Sequence, residues 1–353
     1  MQRVPQVLEW RGEIRTITPS RWTSLAQCTA KGRVDVLILD GQLPETLPSR
    51  GTLVGRFHHR LMDLAVSTAN LAQLEAETEH EIELLQHEVA KYSHLKRAGS
   101  VSGWREINKS ASLAVRVLET RNQSSEEGRL RVEKELKSKD GHLIGRPDLF
   151  RIHGTAATVW EYKTGAIREE NGSVRADYMD QVTLYAALIF DNFSVEVVET
   201  SLESLDGDRH EVSIGRKTAS TFLQNVANTL AATNEQARSV RRLTELASPS
   251  PDACSYCSLR ALCTSFKGKQ DELSLKGDQF LAEGTVGSIT ARSADGLMSV
   301  CLDDELRKMK IQLLLPASAA TEMSAGCRYQ LLNLHRRGTS LEWGHMSQVL
   351  SYG

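Results

Sequence analysis

Two carboxylates and a lysine fall on neighbouring strand-like segments, and this placement constrains the fold more than any other feature. Asp148 lies in the strand candidate Leu143–Ile152, within Gly145-Arg-Pro-Asp148. Glu161 and Lys163 lie in the candidate Ala157–Lys163, with 12 residues between Asp148 and Glu161. Side chains alternate across a strand, so Glu161 and Lys163 share one face and Tyr162 takes the other. A hairpin turned near Gly154 brings Asp148 beside them. Two carboxylates that converge on one face repel each other unless a cation sits between them. Hard oxygen ligands at such a place suit Mg²⁺ or Mn²⁺. A lysine two residues from the ligand can position a water or stabilise developing negative charge. An isolated Glu-x-Lys is ordinarily an exposed ion pair; the Pro-Asp before it and the apolar Val159-Trp160 distinguish this one.

The chain around the hairpin changes period twice. Pro19 and Ser20 open a capped helix within Thr16–Ala30. Thr52–Lys91 is helical, with Leu61, Leu64, Leu71 and Leu74 at spacings near 3.6. Gly99–Gly103 marks a break, and Ile107–Asn122 is a further helix. Arg129–Lys137 then alternates as a strand, with Gly141, Gly145 and Gly154 supplying turns. Tyr178–Phe190 is helical, Phe193–Ser201 a strand and Lys217–Ala247 a long polar helix. After the charged linker Lys267–Leu275 come five strand candidates: Gly284–Arg292, Leu297–Leu302, Lys308–Leu315, Arg328–Leu334 and Thr339–Val349. A short helix, Ala317–Met323, follows the third, which is the order of an OB-fold barrel. The pattern predicts an α/β (α+β) chain. A mixed sheet flanked by helices occupies residues 1–270, with a helical insertion over about 52–125, and a small all-β OB-like barrel occupies 276–353.

Lys and Arg number 43 and Asp and Glu 45, so the formal net charge is −2. That excludes a protein that coats nucleic acid by bulk charge, though not a local basic groove. A hydrophobic fraction of 40% supports a core, and 8 Pro with 24 Gly exclude collagen-like or low-complexity architecture. No run approaches the roughly 20 apolar residues that span a bilayer. The stretch Met1–Trp10 lacks a signal-peptide apolar region. The expectation is a cytoplasmic protein without membrane contact. Disulfides are rare in that compartment, so the six cysteines need another reading.

Cys254-x-x-Cys257-x5-Cys263 is a compact three-thiolate cluster. Soft thiolates at this spacing favour Zn²⁺ or an iron–sulfur cluster, and either needs a fourth ligand. His210 and His335 are distant in sequence. Cys301 and Cys327 fall in or beside barrel strand candidates and read as small apolar side chains.

Taken in order, these residues resemble the RecB-type branch of the PD-(D/E)xK nucleases, over about residues 15–266. Asp148 with Glu161-Tyr-Lys163 matches the namesake motif, with Glu161 where many RecB-type members carry Asp. Gly55-Arg-Phe-His-His59 resembles the family's G-x-x-x-H helix, which implies that His59 is a metal ligand beside Asp148, Glu161 and the Tyr162 carbonyl. His58 is the adjacent alternative. Gln181-x-x-x-Tyr185 resembles the Q-x-x-x-Y helix, which implies that both face the site and orient the lysine and the DNA. The setting of Cys28, Pro19-Ser-Arg-Trp-Thr-Ser-Leu-Ala-Gln-Cys28, is similar to the first cysteine motif of iron–sulfur members, with Thr29 in place of the usual Pro. The resemblance implies that Cys28, Cys254, Cys257 and Cys263 hold a [4Fe–4S] cluster that is structural; four thiolates also suit Zn²⁺.

The function so implied is Mg²⁺/Mn²⁺-dependent phosphodiesterase action on DNA, single-stranded or at a single-stranded end. The settings that use this module include DNA repair or recombination and antiphage defence. No G-x-x-x-x-G-K-[ST] occurs, so unwinding falls to a separate helicase or ATPase. Two further readings stand beside this one: a nuclease-derived DNA-binding or scaffold subunit that no longer cuts, and a hydrolase directed at RNA or nucleotides. Arg238, Arg241 and Arg242 form one short basic cluster and Arg336 with Arg337 another. In the barrel, Arg336 and Arg337 with Trp343 or Tyr329 could track a single strand by charge and stacking; the sparse aromatic content of 5% favours the other reading, a docking module for a partner protein.

Overall fold

The computed structural model describes residues 2–3, 12–37, 48, 50–92, 101–123, 128, 130–255, 257–273, 275, 280–291, 297–338, 340–343 and 347–352. The chain divides into two compact units. The central unit comprises residues 15–23 and 48–232; the terminal unit comprises 1–14, 24–47 and 233–353. Strand β1 (Gln2–Arg3) and helices α1 (Pro19–Gln27) and α2 (Thr29–Leu37) come first in the chain.

In the central unit, α3 (Arg50–Ser67), α4 (Leu71–Ala90) and α5 (Arg105–Gln123) form one helical layer. Leu53, Val54, Phe57, Leu61, Met62 and Ala65 line one stripe of α3 and are buried against Leu74, Leu85 and Val89 of α4 and Ile107, Ala114 and Leu118 of α5. Each such Leu or Phe contributes about 1.5–3 kcal/mol by leaving water. The expected single helix over 52–91 is two, because Asn70 accepts a bond from Gln73 N–H and caps a new start.

The strands that follow are β2 (Arg131–Val132), β3 (Leu136–Lys137), β4 (Ile144–Gly145), β5 (Leu149–His153) and β6 (Ala156–Lys163). Helix α6 (Ala176–Asn192) then crosses over to β7 (Val197–Ser204), which pairs with β8 (Arg209–Gly215). The sheet order is β2-β5-β6-β7-β8, with β6–β7 parallel and the other pairs antiparallel. β3 and β4 form a separate antiparallel pair. Two expected strands are each broken in the middle. Arg129–Lys137 becomes β2 and β3, interrupted where Glu133 takes φ +42°. Leu143–Ile152 becomes β4 and β5, interrupted at Arg146-Pro147-Asp148, where proline has no N–H for the ladder. Gly145 admits the close approach of two neighbours, since a Cβ there would lie 2.8 Å from Leu188 Cδ1 and 3.0 Å from Pro19 Cδ. β8 has no counterpart among the sequence expectations; its charged, half-exposed alternation reads as loop.

Helix α7 (Arg216–Ser239) leads into the terminal unit, ending before the expected Ala247. There Arg33 is fully buried and donates to the Gly12 and Thr233 carbonyls. Two short helices, α8 (Pro251–Cys254) and α9 (Thr264–Lys267), precede the barrel. Its elements are β9 (Phe280–Ala291), β10 (Leu297–Asp304), β11 (Met309–Pro316), α10 (Ala317–Ala320), β12 (Arg328–Arg337), β13 (Ser340–Glu342) and β14 (Gln348–Ser351). The circuit closes as β9-β10-β11-β13-β12-β9, with β11–β13 parallel, which is the expected OB-like order. The last expected strand is divided into β13 and β14, and β1 joins β14 in parallel.

The expected boundary near residues 270–276 is not where the packing divides. Cys28, Cys254, Cys263 and Phe266 share one buried cluster with Leu281 of β9, and Leu306 and Leu332 pack against it. The cysteine segments and the barrel thus lie in one unit. Among the described residues, no helix is long and apolar enough to cross a membrane.

Candidate active site and cysteine pocket

The break at Pro147 frees Asp148 to reach across to β6, where the Tyr162 N–H donates to its Oδ2 at 2.7 Å. This bond holds Asp148 next to the stretch that carries Glu161 and Lys163. Lys163 Nζ donates to Glu161 Oε1 and to Gln181 Oε1, each at 2.7 Å. Gln181 Nε2 donates to the same Glu161 Oε1 at 2.8 Å and to the Tyr185 hydroxyl at 3.2 Å. Gln181 and Tyr185 stand one turn apart on α6, as the i,i+4 spacing requires. The Tyr178 ring lies 4.9 Å from Lys163 Nζ, and the Arg175 guanidinium lies 4.5 Å from the same ring.

His59 of α3 meets Asp148 from the helical layer. Its Nδ1 is 2.7 Å from Glu133 Oε1 and 3.3 Å from Asp148 Oδ1, so one imidazole nitrogen is shared between two carboxylates. One ligand atom from each of His59, Glu133 and Asp148 lies within 4.8 Å of the others. Glu133 is aimed here by its left-handed backbone, a conformation that costs a non-glycine residue about 1–3 kcal/mol. Glu161 is 3% exposed, and its Oε2 is buried with no hydrogen-bond partner.

Charge explains how the groups sit. Burial, and then the nearby Asp148, push the Glu161 carboxyl up to about 7. Burial also pushes Asp148 upward, but the His59 bond, the Lys163 charge and the Tyr162 N–H hold it below its ordinary value. Bonding to Asp148, and then to Glu133, raises His59 to about 10. The imidazolium proton therefore lies where a cation would replace it. Burial works to lower Lys163, yet Glu161 and Asp148 keep it above its ordinary value and charged. One imidazole and three carboxylates, one of them with an orphaned buried oxygen, suit a hard divalent cation.

Every side chain that the sequence assigns to the nuclease site is in this constellation: His59, Asp148, Glu161, Lys163, Gln181 and Tyr185. Tyr162 contributes its backbone, while its ring packs in the helical core at 5.7 Å from the His58 ring. His58 is buried with Nδ1 3.1 Å from Ser110 Oγ, and burial holds it down to about 4, so it is a neutral core residue. The sequence reading passes over Glu133 and Tyr178. Tyr178 stands three residues before Gln181, so helical spacing alone puts it on the same face. Glu133 gives no such signal, because nothing in Arg131-Val-Glu-Lys-Glu135 marks where the strand breaks.

In the terminal unit, Cys28 sits at the joint between α1 and α2. It lines one pocket with Cys254, Cys257, Cys263, Arg260 and Phe266. The Ser248 N–H points at Cys28 Sγ and the Phe266 N–H at Cys263 Sγ, each at 3.4 Å. Burial pushes Cys263 up to about 11 and raises Cys254 as well. Buried thiols of this kind give up their protons when a cation arrives to pair with the sulfur. The donor set of four sulfurs fits a thiophilic metal or cluster.

In the barrel, Arg336 pairs with Asp271 and lies 4.3 Å from the Phe280 ring, while Trp343 packs against the barrel core. Tyr329 is 5% exposed and its hydroxyl accepts the Ser324 N–H, so it offers no free face to a base. The Arg337 side chain lies outside the described residues.

Comparisons with solved structures give distant likenesses. A protein from Eubacterium rectale assigned as an exonuclease is 8% identical with a TM-score of 0.38, over 63% of this chain and 82% of that one. An alkaline exonuclease from Laribacter hongkongensis is 12% identical with a TM-score of 0.22, over 51% of this chain and 92% of that one. The tetrameric p202 HIN2 is 9% identical with a TM-score of 0.18; 22% of this chain is covered, and the chain spans 44% of that structure. No curated protein matches the chain. The family model of the PD-(D/E)XK nuclease superfamily matches residues 16–264. Because that match covers most of the chain and takes in every side chain of the constellation, the chain belongs to the PD-(D/E)XK nuclease superfamily.

Proposed function

We propose that the chain is a Mg²⁺- or Mn²⁺-dependent phosphodiesterase that cuts DNA, on a single strand or at a strand end. Glu161 carries this reading. Its Oε1 is held by Lys163 and Gln181, and its Oε2 is left buried without a partner beside Asp148. An unpaired buried carboxylate oxygen is costly, so it marks a place for a cation. His59, Glu133, Asp148 and Glu161, with the Tyr162 carbonyl, are the groups that would hold it. When bound, a divalent ion there lowers the pKa of a water and neutralises charge on the phosphate.

The protein's own groups do the rest. Lys163 is fixed by two hydrogen bonds and the Tyr178 ring, so its charge is placed without rotamer loss when substrate arrives. It orients the attacking water and stabilises negative charge as one bridging P–O bond breaks, leaving a phosphate monoester and a hydroxyl end. Gln181 and Tyr185 keep Glu161 and Lys163 in register. The four cysteines, which line one pocket, hold a structural [4Fe–4S] cluster; the donor set suits zinc equally, and the resemblance of the Cys28 segment supports iron–sulfur. Among the described barrel residues expected to meet a strand, Arg336 is about half-exposed and takes this role. The setting is cytoplasmic DNA repair, recombination or antiphage defence, with a separate helicase or ATPase opening the duplex.

The test is degradation of end-labelled single-stranded DNA, duplex DNA and RNA with and without Mg²⁺ or Mn²⁺, for the wild type and D148N. Metal-dependent loss of DNA that D148N lacks is the expected result. Binding without cutting under all conditions would replace the enzyme with a non-cleaving DNA-binding subunit, and preference for RNA would overturn the substrate.

A further inference from the structure

We propose that Arg260 is the counter-charge of the four-thiolate pocket and, through Asn333, ties occupancy of that pocket to strand β12 of the barrel. The proposal rests on the thiolate reading above.

Arg260 lies between the second and third cysteines of the C-terminal cluster, is 7% exposed, and lines the pocket with all four sulfurs. A guanidinium stays charged at any depth. Four thiolates around a dipositive metal or cluster keep a net charge of about −2 by simple addition. In a water-poor pocket such a charge needs a cation close by. Arg260 is built for that place: its Nε donates to the Cys257 carbonyl at 3.1 Å, and its ring neighbour is Phe266.

The other end of the guanidinium reaches the barrel. Arg260 Nη2 donates to Asn333 Oδ1. Asn333 has φ +58° and stands where the β12–β9 register shifts between Leu331 and Leu334. Asparagine tolerates this left-handed backbone, and the shift turns its amide toward the cysteine segment instead of along the ladder. Three residues earlier on the same strand, fully buried Gln330 donates to the Ala261 carbonyl at 2.7 Å. Leu332, between them, packs on the cysteine core. Residues 330–333 therefore grip Arg260–Ala261, and the charge that holds Arg260 in place is the charge of the occupied pocket.

The test compares the full-length wild type with R260M, R260K and N333G. Iron and zinc per chain are measured during a chelator challenge, and amide exchange is followed on the β12 peptide before and after metal loss. We expect R260M to lose its thiolate metal about tenfold faster or more, with R260K between it and the wild type. Metal loss from the wild type should speed β12 exchange. N333G keeps the backbone conformation without the amide, so it should hold metal as the wild type does while β12 exchange no longer responds. Wild-type metal retention in R260M overturns the counter-charge role. β12 exchange that ignores metal loss in the wild type overturns the tie. A wild type with no metal on its thiols overturns the thiolate reading itself, and this proposal with it. If R260M does not fold, R260K and N333G decide the same points.

Discussion

Lys163 Nζ donates to Glu161 Oε1 at 2.7 Å, so the lysine binds the oxygen that faces away from the buried, unpartnered Oε2. The two residues thus share one carboxylate: one oxygen positions the ammonium, the other is left for a cation. Removing the ammonium affects both. K163A should reduce DNA cleavage by at least about 10²-fold, the range seen when one preorganised charge is lost. Folding and DNA binding should be retained. Single-turnover cleavage at saturating metal measures the effect, and wild-type turnover in purified K163A removes the assignment.

Glu133 was not legible in the sequence, and it gives a second prediction. Its carboxylate stands 2.7 Å from His59 Nδ1, within the same cluster as Asp148. E133Q should raise the Mg²⁺ concentration needed for half-maximal cleavage by at least about 10–100-fold, the range for groups that support a metal ligand and a lower bound for one that holds the ion itself. Excess metal should restore most of the rate. An unchanged Mg²⁺ dependence would leave Glu133 as a bystander.

Glu161 also predicts a pH effect on the metal-free protein. Burial and Asp148 raise its folded value from 4.5 to about 7. A carboxyl raised on folding binds its proton more tightly in the native state, so stability is greatest at low pH and falls as pH rises from 4.5 through about 7. E161Q carries no such charge. The melting temperature of E161Q should exceed that of the wild type at about pH 8 in chelator, with the gap closing near pH 5, although E161Q does not cut DNA. A gap that is constant with pH would show that Glu161 is ionised without cost.

The difference between what was and was not legible is physical. Asp148, Glu161 and Lys163 were readable because a strand's period of two fixes faces without knowledge of the fold. Helical spacing puts Gln181 and Tyr185 on one face, but only the resemblance turns that face toward the site. His59 and Cys28 came from resemblance alone; His58 and Cys301 have the same chemistry in the wrong places. Glu133 depends on a left-handed backbone residue, and Arg260 on a barrel strand 73 positions away. Neither leaves a local pattern. The barrel's strand order followed from counting short strands, whereas the division into units did not, because it depends on Leu281, Leu306 and Leu332 packing under the cysteines.

Gly145 offers a test of the scaffold that replaces none of the site's side chains. A Cβ at this position would lie 2.8 Å from Leu188 Cδ1 on α6 and 3.0 Å from the Pro19 ring, which cannot swing away. G145A should cost about 1–3 kcal/mol, as overpacking does. The strand end would shift beside Asp148, so cleavage should fall along with the melting temperature. Unchanged stability would mean that α1 and α6 yield freely.

Cys28 and Cys257 should behave as equals although they lie at opposite ends of the sequence match. Both line one pocket with Cys254 and Cys263, and backbone N–H groups already point at Cys28 and Cys263. If four sulfurs hold one group, losing any one exposes the remaining thiolates to a deficient shell, and affinity falls whichever is removed. C28S and C257S should each lose most of their bound iron or zinc and melt at similarly lowered temperatures. C301S and C327S should do neither, because those cysteines lie on the barrel away from the pocket. A brown wild type with about four irons per chain supports the cluster, whereas one colourless zinc keeps the four-sulfur site and replaces its occupant. A C28S protein with wild-type metal content and melting temperature removes Cys28 from the ligand set.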